Sequence, residues 1–284
     1  MSMTTNEITQ LNDELKKTLR DATVMGVPDG ENREVDARVF WNFFYSDAPV
    51  FQVRLFVASD ATIKAHDELL RRAVLMDAER QKQWAAKEAA DRIQAMDNHI
   101  ARNVPSNFQM CTFANFEPHD DRQARVRDTV AAWMGHPPFL VLGGPPATGK
   151  THLAVAAFVT AVRRGGAGGN PMFWGETELI TEWRRRHRLR DDDYSPDDLI
   201  EGVADHAGLV VIDDIGSVKL TESAWSAIWT IIDARYAHGR PTLFTTNHRL
   251  PALVEIVGEK VVSRLASGAK LWIEGPDMRQ RRPA

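Results

Sequence analysis

The sequence predicts an α/β protein, a parallel sheet held between helices around a P-loop, preceded by a smaller α+β amino-terminal domain. Three observations carry this. Apolar runs of strand length alternate with helical patterns from Cys111 onward. One such run, Phe139-Leu140-Val141-Leu142, leads into GGPPATGKT and a helical stretch. Another, Leu209-Val210-Val211-Ile212, ends in two carboxylates, Asp213 and Asp214. Repeated strand–helix units imply parallel strands covered on both faces.

The 284 residues suffice for one large domain and a smaller one. With Cys111 as the single cysteine, no intrachain disulfide can form, which fits a reducing compartment. The start, MSMTTNEITQLNDELKK, lacks the layout of a signal peptide. No apolar run approaches the roughly 20 residues a membrane span needs, so a soluble, cytoplasmic protein is expected. A formal net charge of -4 argues against coating nucleic acid through bulk charge. Any such contact must come from a local patch.

The amino-terminal part reads as a short helix, Asn6 to Arg20, and two β-rich runs, Arg38 to Tyr45 and Val50 to Val57. Ser46-Asp47-Ala48-Pro49 joins the runs into a hairpin. A long polar helix from Ala61 to about Arg102 follows, with Asp60 as its cap. Its apolar stripe, Leu69, Leu70, Val74 and Leu75, occupies only the first half, so the rest spans or awaits a partner. Asn103-Val104-Pro105-Ser106-Asn107 breaks the helix and sets the expected boundary: a partner-binding domain at 1–105 and an ATPase domain at 106–284. Strands are expected at FLVLGG, PMFWG, LVVIDDIG and PTLFTTN, with helices from Lys150, from Glu176, near Glu222 and near Leu250.

Gly144-Pro145-Pro146-Ala147-Thr148-Gly149-Lys150-Thr151 satisfies the pattern G-x-x-x-x-G-K-[ST]. Its glycines let backbone N–H groups converge on phosphate oxygens, and the next helix offers its positive end to them. Lys150 supplies charge to the β- and γ-phosphates, and the Thr151 hydroxyl ligates Mg²⁺. An apolar strand ending in carboxylates matches the Walker B arrangement. Asp213 would hold Mg²⁺, and Asp214 would orient or deprotonate the attacking water. At the end of Thr242-Leu243-Phe244-Thr245-Thr246, Asn247 either positions water beside the γ-phosphate or is simply a turn residue before His248. ATP and Mg²⁺ are the expected cofactors.

These three motifs, in this order, resemble those of AAA+ ATPases. The likeness narrows to bacterial replicative helicase loaders (DnaC type), with the IstB-type transposition helpers as relatives. Cys111-Thr112-Phe113-Ala114-Asn115-Phe116 resembles the loaders' "tFenf" lead-in. The run from Gly144 to Leu153, GPPATGKTHL, is close to their P-loop and brings His152 into the nucleotide-binding set. Ala147 stands where many members carry Gly. LVVIDDIG resembles "LlviDEiG", with Asp214 in place of Glu: the same charge on a shorter arm. GEKVVSRL, from Gly258 to Leu265, resembles "GErvmdRl" and puts Arg264 at the arginine-finger position, with Lys260 where Arg is common. The resemblance covers Cys111 to about Arg279.

It implies ATP bound between neighbouring subunits: Lys150, Thr151, Asp213, Asp214 and Asn247 from one, Arg264 from the next. Some twenty residues follow Arg264, too few for the helical lid most AAA+ proteins carry. Arg279 falls in the "G-x-S-y-R" region, where it either reaches nucleotide or is solvated. The family's matching region for single-stranded DNA contains Trp183, Arg184, Arg185, Arg186 and Arg188. The arginines would hold phosphates and Trp183 would stack on a base. The competing reading is a solvated helix end neutralising Asp191, Asp192 and Asp193. The function implied is ATP-dependent loading of a DnaB-type replicative helicase, gripped by residues 1–105, with self-association and no membrane contact. The alternatives are a transposition helper, a non-hydrolysing nucleotide-gated adaptor and a small-molecule kinase. The kinase would need an arginine-rich lid and no Asp-Asp-Asn set.

Overall fold

A parallel sheet of five strands forms the centre of the fold, in the order β2-β3-β4-β1-β5. The computed structural model describes residues 60–165, 169–189 and 195–278. The expected helix at Asn6–Arg20, the hairpin at 38–57, Asp191 to Asp193 and Arg279 lie outside the described residues. The chain divides into two compact units, Met1–Ile93 and Gln94–Ala284.

Helix α1 runs over Asp60–Asn103. Its last turns belong to the second unit, where Ile100 and Val104 are buried and the His99 ring stacks on Phe158 at 5.8 Å. Among the described residues of the first unit, Leu75 and Trp84 of this helix are largely exposed. Helix α2, Asp121–Ala132, has no counterpart among the expected elements; Asp120 caps it by accepting the Gln123 N–H at 2.8 Å.

Strand β1, Phe139–Gly143, is wholly buried and feeds the P-loop and helix α3, Lys150–Arg164. Then come β2, Met172–Gly175, α4, Glu176–Leu189, and a second unexpected helix, α5, Pro196–Asp205. Ser195 and Asp198 form a capping box that starts α5. Strand β3, Val210–Asp213, α6, Glu222–Ala237, and β4, Thr242–Thr246, fall where the sequence puts them. Helix α7, Leu250–Val257, is followed by α8, Glu259–Ala266, and by β5, Ala269–Trp272, a fifth strand beyond the four expected. After β5 there is no α-helix among the described residues.

Alternation along β1 divides the core. Phe139 and Val141 pack with α4 to α8, whereas Leu140 packs with α3 and the end of α1. The guanidinium of Arg235, on α6, is completely buried. Its Nε donates to Thr242 Oγ1 at 2.8 Å, and its terminal nitrogens donate to the carbonyls of Val203, His206, Gly208 and Pro241. Desolvation, and secondarily the charge of Arg240, pull its pKa down to about 9, which leaves it charged at neutral pH.

Candidate nucleotide-binding site

All strands run the same way, so β1, β3 and β4 end side by side, and the polar residues following each meet above the sheet. After β1 the chain turns through the P-loop. Gly149 adopts φ +97° and caps α3, and an added Cβ there would stand 2.6 Å from the Phe116 ring. Only glycine meets both demands. At Gly144 a Cβ would fall 2.2 Å from the Ile273 carbonyl oxygen. Ala147 holds φ +61°, so the alanine accepts a left-handed conformation that costs an L-residue about 1–2 kcal/mol and costs glycine little.

The Lys150 ammonium is buried and donates to the Pro145 carbonyl at 2.7 Å, as does the Thr148 hydroxyl at 2.9 Å. The His152 side chain meets the lead-in segment. Its Nε2 lies 2.9 Å from the Thr112 carbonyl and 3.1 Å from Asn115 Oδ1, and its ring meets Phe116 edge-on at 5.2 Å. It therefore ties the lead-in segment to α3. The Met278 N–H donates to the Ala147 carbonyl at 2.9 Å, so the carboxy-terminal segment runs past the loop.

The Thr151 hydroxyl donates to both Asp213 oxygens, at 3.1 and 3.2 Å, and the Thr245 hydroxyl donates to Asp213 Oδ1 at 2.5 Å. Burial pushes the Asp213 carboxyl above its usual range; these hydrogen bonds oppose that, Asp214 adds to it and Lys150 opposes it. A desolvated carboxylate beside a threonine hydroxyl suits Mg²⁺, which takes a few protein oxygens and leaves the remaining positions to phosphate and water. Asp214, at φ +63°, has its N–H on Thr245 Oγ1 at 2.8 Å, and Asn247 Nδ2 donates to its Oδ1 at 2.6 Å. Asn247 is thus fixed on the second carboxylate.

Two participants carry no signal in the sequence motifs. Thr245 touches both aspartates from β4. Glu176, the buried first residue of α4, accepts from the Gly216 N–H at 3.0 Å and lies 3.5 Å from Ser217 Oγ, pinning the turn after Asp214. Burial is the main cause that raises its carboxyl.

Arg264 lies elsewhere. On α8 it donates from Nε to Asp233 Oδ1 at 3.0 Å, with its guanidinium 4.7 Å from the centre of the Tyr236 ring. Tyr236 packs on Phe139, at the start of β1, whereas the P-loop follows its end. The DNA candidates lie on α4. Glu182 holds Arg185 through Nε and Nη2, both at 2.7 Å, and Arg186 through Nε at 2.9 Å. Trp183 is half-buried, packed on the core and edge-on to His187 at 4.5 Å. Arg184 and Arg188 are exposed and one helical turn apart.

Lys150→Ala is expected to keep the fold and lower ATP affinity about 10- to 100-fold, the equivalent of one or two charged hydrogen bonds to phosphate. Titration with a fluorescent ATP analogue, alongside circular dichroism, measures this. A folded variant with unchanged affinity would remove the site.

Comparison with known proteins agrees with this geometry. The family model described as "IstB-like ATP binding protein" matches residues 65–266. The replicative helicase loader DnaC of Escherichia coli K12 is 26% identical over 194 residues, 66% of this chain and 77% of its own. A crystal structure of the DnaC helicase loader superposes with a TM-score of 0.51 at 25% identity, covering 60% of this chain and 99% of that one. AMPPCP-bound DnaA from Aquifex aeolicus superposes at 0.50 and 19% identity, over 60% of this chain and 52% of its own, a likeness of fold. The fold is that of AAA+ P-loop domains. Among the described residues no helix is long and apolar enough to cross a membrane.

Proposed function

The chain belongs to the family of IstB-like ATP binding proteins, and from that premise we propose that it is an ATP-hydrolysing loader that assembles with copies of itself and delivers a replicative ring helicase to single-stranded DNA in the cytoplasm. One observation carries the ATPase half: Thr151, Thr245 and Asn247 engage the paired carboxylates Asp213 and Asp214 directly beside the P-loop. The loader half rests on the similarity to the loader DnaC.

In this reading the loop from Gly144 to Thr151 cradles the phosphates, with the backbone N–H groups of Ala147 to Thr151 turned to them, and Lys150 leaves the Pro145 carbonyl for them. The Thr151 hydroxyl and Asp213 would hold Mg²⁺, which when bound would neutralise phosphate charge. Asp214 orients the attacking water and draws off its proton, while Asn247 keeps that carboxylate aimed. Arg264 arrives from the neighbouring copy. Residues 1–105 grip the helicase and 106–284 hydrolyse ATP.

The test uses the full chain, a DnaB-type helicase from the same cell and circular single-stranded DNA. Helicase retained on the circles, and radiolabelled phosphate released from γ-labelled ATP, should both depend on ATP and on residues 1–105. Retention without phosphate release would favour a nucleotide-gated adaptor, and transfer of label to an acceptor would favour a kinase. The family description supports a second reading, an IstB-type transposition helper. Capture of a transposase on duplex DNA, with no helicase retained, would favour it.

Contact with DNA phosphates falls first to Arg184 and Arg188, because Arg185 and Arg186 share the Glu182 carboxylate. Those two arginines hold the Glu182 carboxyl down at about 2, so it stays charged and paired at any pH well above that value. Glu182→Gln should release Arg185, tighten single-stranded DNA binding and steepen the log–log salt slope by about 0.7, the increment for one added phosphate contact. A filter-binding series in salt measures it. An unchanged slope would count against α4 as a DNA contact.

A further inference from the structure

We propose that Asp233, together with Trp229 and Tyr236, is the positioning element that presents Arg264 to the ATP site of a neighbouring copy; this rests on the reading of Arg264 as a finger acting between subunits. The three residues recur on α6 at spacings of four and three, so they share one face, and α8 lays Arg264 across that face. The guanidinium carbon stands 4.7 Å from the Tyr236 ring centre and 5.6 Å from that of Trp229, while Nε is bonded to Asp233 Oδ1 at 3.0 Å.

Two aromatic rings and a carboxylate thus fix the plane of the guanidinium and use one of its nitrogens. Nη1 and Nη2 make no hydrogen bond among the described residues, and the side chain is 36% exposed. The outer edge of the fork, the edge that pairs with phosphate oxygens, faces away from its holder. An arginine fixed in advance does not lose its rotamer freedom on engaging the nucleotide.

The cradle also excludes this subunit's own nucleotide. It adjoins Phe139 at the start of β1, and the P-loop begins after Gly143, four strand steps or about 13 Å further on. Trp, Tyr and Arg grouped on a half-exposed face are also the residue types that dominate protein interfaces.

The alternative is an ordinary ion pair joining α6 to α8. An exposed pair of that kind contributes little to stability, so variants should fold, and thermal melting checks this. Phosphate release by full-length Asp233→Ala and Asp233→Asn should show an unchanged KM for ATP and a kcat lowered by up to about 10²-fold, as for a small misplacement of a catalytic group. Asp233→Glu should recover part of that loss. Mixing separates the roles. Asp233→Ala mixed with Lys150→Ala should regain turnover, because some interfaces combine an intact P-loop with an intact cradle. Asp233→Ala mixed with Arg264→Ala should not, because both damage the same side.

Wild-type kcat in folded Asp233→Ala and Asp233→Asn, with Arg264→Ala slow, would overturn the proposal and leave the finger standing. So would complementation by Lys150→Ala of Arg264→Ala but not of Asp233→Ala. Arg264→Ala turning over at the wild-type rate would remove finger and cradle together.

Discussion

Arg264→Ala is expected to bind ATP almost as tightly as the unaltered chain and to hydrolyse it about 10³- to 10⁵-fold more slowly, the range found for arginine fingers in GTPases. Affinity survives because Lys150, Thr151 and the loop amides do not touch this residue. Rate falls because the guanidinium would neutralise charge that accumulates on the phosphoryl oxygens only in the transition state. Stability should change little, since the Asp233 pair is partly exposed. Turnover of the unaltered chain should rise more than proportionally with protein concentration, as assembly creates complete sites. Mixed with Lys150→Ala, the Arg264→Ala chain should recover part of its rate. Failure to complement at every mixing ratio, with both variants folded, would place the nucleotide's arginine elsewhere.

Arg235→Leu is expected to unfold the domain. The leucine would take from the carbonyls of Val203, His206 and Gly208 the donors that Arg235 gives them, whereas Pro241 keeps the Val210 N–H and the Thr242 hydroxyl keeps the Arg240 carbonyl. At about 1–3 kcal/mol for each of these three groups the loss is about 3–9 kcal/mol, comparable with the whole stability of a typical domain. Arg235→Lys should be less harmful but still severe, because an ammonium offers three donors in place of a planar fork of five. Chemical denaturation measures both. A melting temperature for Arg235→Leu within about 4 °C of the parent would mean a loss near 1 kcal/mol for a domain of this size, and Arg235 would not be structural.

The parts of the site readable in the sequence are those whose chemistry follows their own strand. Lys150 and Thr151 open a helix after β1, Asp213 ends β3 and Asn247 follows β4, each in a local pattern. Thr245 is not readable in that way. Its role depends on the register that sets Val210 against Thr242 and Ile212 against Phe244, which brings Asp213 level with Thr245. Glu176 reads as an ordinary acid at a helix start, where negative charge suits the dipole; its burial under the turn after Asp214 is a tertiary fact. Helix α2 gives a weak signal because DRQARVRDTVAA carries only a thin apolar stripe, with Val130 its one buried apolar residue. The pairing of Glu182 with Arg185 and Arg186 is open to prediction, since spacings of three and four place them together on any helix.

The strand order governs when the protein can become itself during synthesis. β1 has β4 and β5 as its only neighbours, and both are encoded about a hundred residues or more downstream. Until residues 242–246 have left the ribosome, the strand that carries the P-loop has nothing to pair with, and β2 with β3 forms a separate two-stranded piece, too small to be stable alone. Such late, long-range pairing costs loop-closure entropy before any contact repays it, which makes for slow folding with apolar strands exposed meanwhile. A nascent chain halted short of β4 therefore holds its P-loop and both aspartates, lacks Thr245 and Asn247, and cannot yet build the site.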